Sequence, residues 1–280
     1  MSVEAPTKAP AVREVTQGGE KVAQSSGFEL LARAGFVARG LIYGIIGILA
    51  IKLVVGAGGK TTNQEGALAT VARQPFGKVL LILVAIGLGG YALWRLLRAF
   101  LGHGPEDSDT TFERVAAFAS GIVYAGLSVV AVKILLGSGG GSSGNTHKTA
   151  AGVFGWPAGT WLVSIGGAVL IGVGLFQGYR GISKDFLKDS KIEEMSPRVR
   201  KWIEWIGTFG HLARMVVFGL VGVFLIRAAI DYNPNQAVGL DGALAKLANA
   251  SYGPFLLGIV AAGLIAFGIY SLSDARYRRF

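Results

Sequence analysis

Lys52, Lys133 and Arg227 occupy one position of a pattern that the chain states three times. The pattern opens as Ala38-Arg39-Gly40-Leu41-Ile42-Tyr43-Gly44. It returns as Ala119-Ser120-Gly121-Ile122-Val123-Tyr124-Ala125, and again as Ala213-Arg214-Met215-Val216-Val217-Phe218-Gly219. The late basic residue follows each opening at about the same distance. Cations repeated at one depth are the chemistry of anion binding or passage. The spacing carries a second message. Twelve residues separate Arg39 from Lys52, and twelve separate Arg214 from Arg227. At about 1.5 Å per helical residue, each pair lies closer together than a hydrocarbon core of about 30 Å is thick. One member of each pair must therefore dip below the headgroups. Either the bases snorkel outward to lipid phosphate, or Lys52, Lys133 and Arg227 form an inward-facing ring. Arg39 and Arg214 would then mark the opposite, cytoplasmic ends of their helices. No Asp or Glu is expected well inside a helix, which argues against a proton relay.

Other chemistry is absent or incomplete. Residues 54–61 read V-V-G-A-G-G-K-T, but a phosphate loop needs Gly at Val54 and a preceding strand. His103, His147 and His211 have no ligand spacing around them, so no metal site is expected. No nucleophile elbow is present. The absence of cysteine excludes disulfides, iron–sulfur centres and thiol chemistry. No catalytic residue and no cofactor are assigned.

The elements that position the repeated bases follow from composition. Hydrophobic residues make up 51% of the 280, and charged residues 16%. Residues 149–179 and 247–273 contain no Asp, Glu, Lys or Arg. Each is longer than the about 20 apolar residues a membrane helix needs. The sequence predicts an all-α integral membrane bundle of six transmembrane helices, near 33–55, 77–100, 113–136, 157–181, 203–230 and 253–273. The second half of the pattern repeats as well. Glu65-Gly66-Ala67-Leu68-Ala69 returns as Asp241-Gly242-Ala243-Leu244-Ala245, and Phe76-Gly77 as Tyr252-Gly253. Gly87, Tyr91 and Trp94 match Gly172, Phe176 and Tyr179, then Gly263, Phe267 and Tyr270. Two helices per copy give three parallel repeats, expected as a pseudo-threefold bundle: 28–102, 112–182 and 202–280. Residues 1–27 read as a disordered cytoplasmic tail. Residues 66–73 and 242–249 read as short interfacial helices resting on Leu68, Val71, Leu244 and Leu247. The middle copy has no such segment, and its run 137–144 reads as a flexible linker. Glycines spaced four apart (Gly40 and Gly44, Gly174 and Gly178) read as helix contacts, with Gly44 and Gly126 expected where neighbours touch. Trp94, Tyr179, Tyr270, Trp202 and Trp205 read as an aromatic belt.

The net charge of +10 is explained by position. With their helix ends, the tail, the loops after the second and fourth helices, and the C-terminus carry 19 of the 27 Lys and Arg. The positive-inside rule places both termini in the cytoplasm, and nucleic-acid binding is not needed to account for the charge.

These residues resemble a bacterial family called domain of unknown function 1206. The likeness rests on Ala38-Arg39-Gly40, Tyr43, Gly66-Ala67-Leu68, Pro75-Phe76-Gly77 and the run Gly87-Leu88-Gly89-Gly90-Tyr91-Ala92-Leu93-Trp94-Arg95. The third copy fits partly; the second has Ser120 for Arg and lacks Gly-Ala-Leu. The resemblance implies three two-helix membrane repeats in a bacterial plasma membrane, and assigns no activity. The leading functional expectation is a non-enzymatic membrane module that binds lipid or a partner. Its partners are the lipid bilayer, anionic lipids in particular, and a membrane protein or a second copy of itself. The alternative is a channel or transporter for a small anion.

Overall fold

The computed structural model describes residues 26–58, 60–101, 111–138 and 145–279. The expected tail lies outside them, except for Ser26 and Gly27, which begin the first helix. His103 and most of the 137–144 run lie outside them too.

Nine α-helices account for the fold among the described residues: α1 Ser26–Val54, α2 Gln64–Ala72, α3 Gly77–Leu101, α4 Thr111–Leu135, α5 Asn145–Phe154, α6 Gly159–Ser183, α7 Pro197–Ile230, α8 Leu240–Ala248 and α9 Gly253–Tyr277. Six of them, α1, α3, α4, α6, α7 and α9, are long and apolar enough to cross a membrane. Caps mark where helices start. The Asn63 side chain accepts from the Gly66 amide at α2. Ser196 caps α7 at the Val199 amide, with Pro197 in the first turn.

The middle repeat keeps the short helix that its sequence conceals. Gln64, Asn145 and Leu240 begin α2, α5 and α8 at offsets of 81 and 176 residues, the offsets of the sequence repeat itself. The turn into the next long helix is also repeated. Phe76, Ala158 and Tyr252 all take left-handed backbone, with φ of 59°, 61° and 58°. Each precedes a glycine, Gly77, Gly159 or Gly253, whose Cβ position is blocked by carbonyl oxygens of the short helix just before it. Glycine is required there because the chain reverses against its own backbone.

The long helices stand side by side in the order α4, α3, α1, α9, α7, α6. Every junction between repeats is packed: α3 on α4, α6 on α7, α9 on α1. Within repeats α1 packs on α3 and α7 on α9, but among the described residues α4 and α6 do not pair. The expected threefold bundle is therefore a ring with one open side. Burial follows: in their most apolar windows 17% of α4 and 22% of α6 is buried, against 50–56% of α1, α3 and α9.

Close helix contacts fall at particular glycines. A Cβ on Gly40 would lie 2.8 Å from the Gly268 carbonyl oxygen, and one on Gly268 2.8 Å from the Gly40 oxygen. Gly167 and Gly222 face each other in the same way between α6 and α7. Gly44 and Gly126, expected at such contacts, have open space where a Cβ would point. Gly44 meets Gly268 through its backbone alone.

Candidate functional site

The interior polar groups gather toward the end of the ring where the described chain starts and finishes, here the terminal face. Backbone bonds tie that face together. Lys191 N donates to Tyr277 O at 2.7 Å, and Arg279 N to Asp189 O at 2.9 Å. From α1, Arg33 donates to the carbonyl oxygens of Ala275 and Arg276 in α9.

Arg39 is the centre of this region. It is 6% exposed, so it does not snorkel to lipid. Its Nε donates to Ser271 Oγ at 3.0 Å, Nη1 to Tyr91 Oη at 2.8 Å and Nη2 to Asp274 Oδ2 at 2.8 Å. The guanidinium also lies over the rings of Phe36, Tyr91 and Phe267. No Asp or Glu is expected from the sequence well inside a helix to balance charge, yet Asp274, in the last turn of α9, balances Arg39. The last helix runs to Tyr277, not 273, and holds Asp274 at 1% exposure. Ion pairs continue from there. Arg278 approaches Asp274 Oδ2 at 3.5 Å and Asp189 Oδ2 at 2.8 Å, and Arg180 meets the same Asp189 oxygen at 2.9 Å. Burial disfavours charge on Arg278, but Asp189 and Asp274 outweigh it and hold its pKa above the ordinary arginine value.

Aromatic rings fill the space beneath. Tyr43 meets Phe267 edge-on at 4.9 Å, and Tyr124 of α4 meets Tyr91 at 4.6 Å. His211 lies among Phe186, Phe267 and Tyr270, with its Nε2 buried and without a hydrogen-bond partner among the described residues. It packs as a ring. Of the expected aromatic belt, Tyr179, Trp202 and Trp205 are exposed, whereas Trp94 and Tyr270 are buried in the bundle.

Arg214 is placed differently from Arg39. Its guanidinium lies 4.4 Å from the Phe267 ring centre, 5.0 Å from Phe218 and 5.3 Å from Tyr43. The Gln177 amide, assigned with its oxygen toward the guanidinium, accepts from it at 2.6–3.3 Å. Tyr43 belongs to α1 and Gln177 to α6, which are not neighbours in the ring. A side chain of α7 that touches both points into the interior. Arg39 and Arg214 thus converge on Phe267 from two helices. Among the described residues, Arg214 faces no carboxylate.

Lys52, Lys133 and Arg227 stand in the last turns of α1, α4 and α7. All three are exposed, and none makes a side-chain hydrogen bond or ion pair among the described residues. Asp274 and Gln177 were not legible as site residues: one lay past the expected helix end, and the other is a neutral amide in a charge-free run.

The family whose description reads Domain of Unknown Function (DUF1206) matches the chain three times, over residues 34–102, 115–184 and 209–278. The chain belongs to the DUF1206 family. The three matches fall on the three helix pairs with their short helices, so the family unit is the structural unit. A relative in Bacillus subtilis (strain 168), "Uncharacterized protein YxxB", is 34% identical over 250 residues, covering 88% of this chain and 90% of its own length. No solved structure gives a significant match. This DUF1206 chain is a multi-pass membrane protein of a bacterial family, built from three parallel repeats.

Proposed function

We propose that this protein is a non-enzymatic membrane module that binds anionic lipid, set in the bacterial plasma membrane with both termini in the cytoplasm. The observation that carries the proposal is the state of Lys52, Lys133 and Arg227. Each is an exposed cation ending an apolar helix, with no ion pair among the described residues. Lipid phosphate is the counter-ion at that depth. The buried charges Arg39, Asp274 and Arg278 are engaged with one another and with the partly buried Asp189, which favours a structural role over acid–base chemistry. Anion passage along the axis is the second possibility, and the buried rings of Tyr91, Phe267 and Tyr270 oppose it.

The test is lipid preference of the purified protein, with phosphatidylglycerol set against phosphatidylcholine in native mass spectrometry. Each of Lys52, Lys133 and Arg227 is changed to Gln singly, then all together. Exposed, separate cations predict a preference for phosphatidylglycerol that falls by small, additive steps. An unchanged protein with no preference between the two lipids refutes the proposal.

A further inference from the structure

The three repeats place equivalent residues at equivalent contacts. Arg39 of the first repeat corresponds to Arg214 of the third. By the spacing from Gly263 and Gly172, Asp274 of α9 corresponds to Ser183 of α6. At the α9–α1 junction the buried arginine has its carboxylate, 2.8 Å away. At the α6–α7 junction the carboxylate is a serine, and the arginine turns away from it. The Arg214 guanidinium goes to Gln177 instead, six residues earlier on α6, which is about 9 Å along the helix axis.

Arg214 therefore carries a charge that no described residue neutralises. A carbonyl oxygen and three aromatic rings stabilise a cation but supply no opposite charge. Arg214 also lies within the membrane span. It is nine residues, or about 14 Å, below Trp205, and thirteen residues, or about 20 Å, from Arg227. A cation at that depth is costly without a counter-ion. It is nonetheless only partly buried, and the ring into which it points is open between α4 and α6.

We infer that Arg214 binds the oxyanion headgroup of a lipid whose hydrocarbon chains lie in the open side of the ring between α4 and α6. The lateral opening selects lipid over a free anion. The two helices that flank it offer mainly apolar surface: α6 has no charged residue before Arg180, and Ile122, Val123, Val129, Ile165 and Val169 are exposed on them. Such a surface favours an acyl chain over water. Arg is the suited cation, because its planar fork binds phosphate or carboxylate oxygens in pairs. Gln177 holds the guanidinium in place from one side, and the rings support it from the others.

This inference rests on the lipid-binding reading above, and its test separates the two. The probe is phosphatidylglycerol added to the full chain held in phosphatidylcholine nanodiscs, read by native mass spectrometry after release into neutral detergent. The unchanged protein should retain one phosphatidylglycerol. Arg214→Gln should weaken retention by about tenfold or more, the scale of losing a charge-assisted hydrogen-bond partner. Gln177→Glu gives the second variant. It sets a carboxylate against Arg214 within the protein, so it should displace the lipid equally while the melting temperature stays at or above that of the unchanged protein. Arg214→Lys should keep part of the retention. Inorganic phosphate should not compete.

Retention unaffected by both Arg214→Gln and Gln177→Glu overturns the inference. Displacement by inorganic phosphate also overturns it, and makes a free anion the ligand. If retention is lost only when Lys52, Lys133 and Arg227 are all changed to Gln, this site falls and the broader reading stands. If the unchanged protein holds phosphatidylglycerol no better than phosphatidylcholine, both fall.

Discussion

A carboxylate that is 1% exposed and faces two guanidinium groups, as Asp274 does, cannot be neutralised without leaving Arg39 charged in an apolar medium. Breaking a buried pair by removing one partner costs about 3–5 kcal/mol. Asp274→Asn should destabilise the protein by about that amount, measured by thermal unfolding in detergent. Arg279→Gln, which breaks the exposed pair with Glu193, should leave the melting temperature unchanged. Replacing both Arg39 and Asp274 with Met and Leu should recover most of the stability lost by Asp274→Asn. If the Asn variant melts like the unchanged protein, Arg39 has another counter-charge. Arg39 was legible in the sequence as a base too deep for its helix, but its partner was not. Asp274 lies where the apolar run has ended and charges begin, and helix ends are poorly defined by hydropathy. Gln177 left no trace, because an amide in a run without charges looks like any other polar residue there.

Helix positions were legible because an apolar run longer than a bilayer is thick is rarely stable anywhere but in a membrane. The six expected spans agree with the six long helices, apart from ends that extend outward at α1, α7 and α9. The short α5 was missed for a physical reason. Its Gly-Ala-Leu signature is gone, and the element survives only as length and turn geometry, which backbone contacts enforce at Ala158 and Gly159. Glycine spacing also misled: four-residue spacing puts Gly40 and Gly44 on one side of α1, yet only Gly40 aims its Cβ position at α9. Gly40→Ala should therefore lower stability by about 1–3 kcal/mol, the usual cost of overpacking, while Gly44→Ala should cost much less. The comparison is read from melting temperatures of the two variants. A larger drop for Gly44→Ala would place the α1–α9 crossing elsewhere.

For the whole molecule, the parallel repeat was legible and its symmetry was not. Repetition predicts a closed threefold ring, because identical units make identical contacts. The middle copy departs in Ser120 and in the lost Gly-Ala-Leu segment, and it is the copy whose two long helices, α4 and α6, stand apart. Orientation follows from charge. The sequence assigns 19 of 27 basic residues to the terminal segments and to the loops after the second and fourth long helices, so the positive-inside rule predicts a cytoplasmic terminal face. A reporter active only in the cytoplasm, fused after Phe280, should be active. Activity of a periplasmic reporter at the same site, with the cytoplasmic one silent, reverses the assignment.

The open side also divides the chain in time. With α4 and α6 apart, the described residues of 26–135 and 145–279 meet mainly along α1 and α9, the first and last of the six long helices described. Arg39 and its carboxylate are 235 residues apart. At translation rates of about 5–20 residues per second, α1 waits roughly 10–50 s for its counter-charge. Until then, the Arg39 guanidinium in α1 is without the carboxylate it pairs with in the folded protein. The pairing of Arg39 with Asp274 joins the first repeat to the third, and a chain cut short before Asp274 leaves Arg39 without that counter-charge.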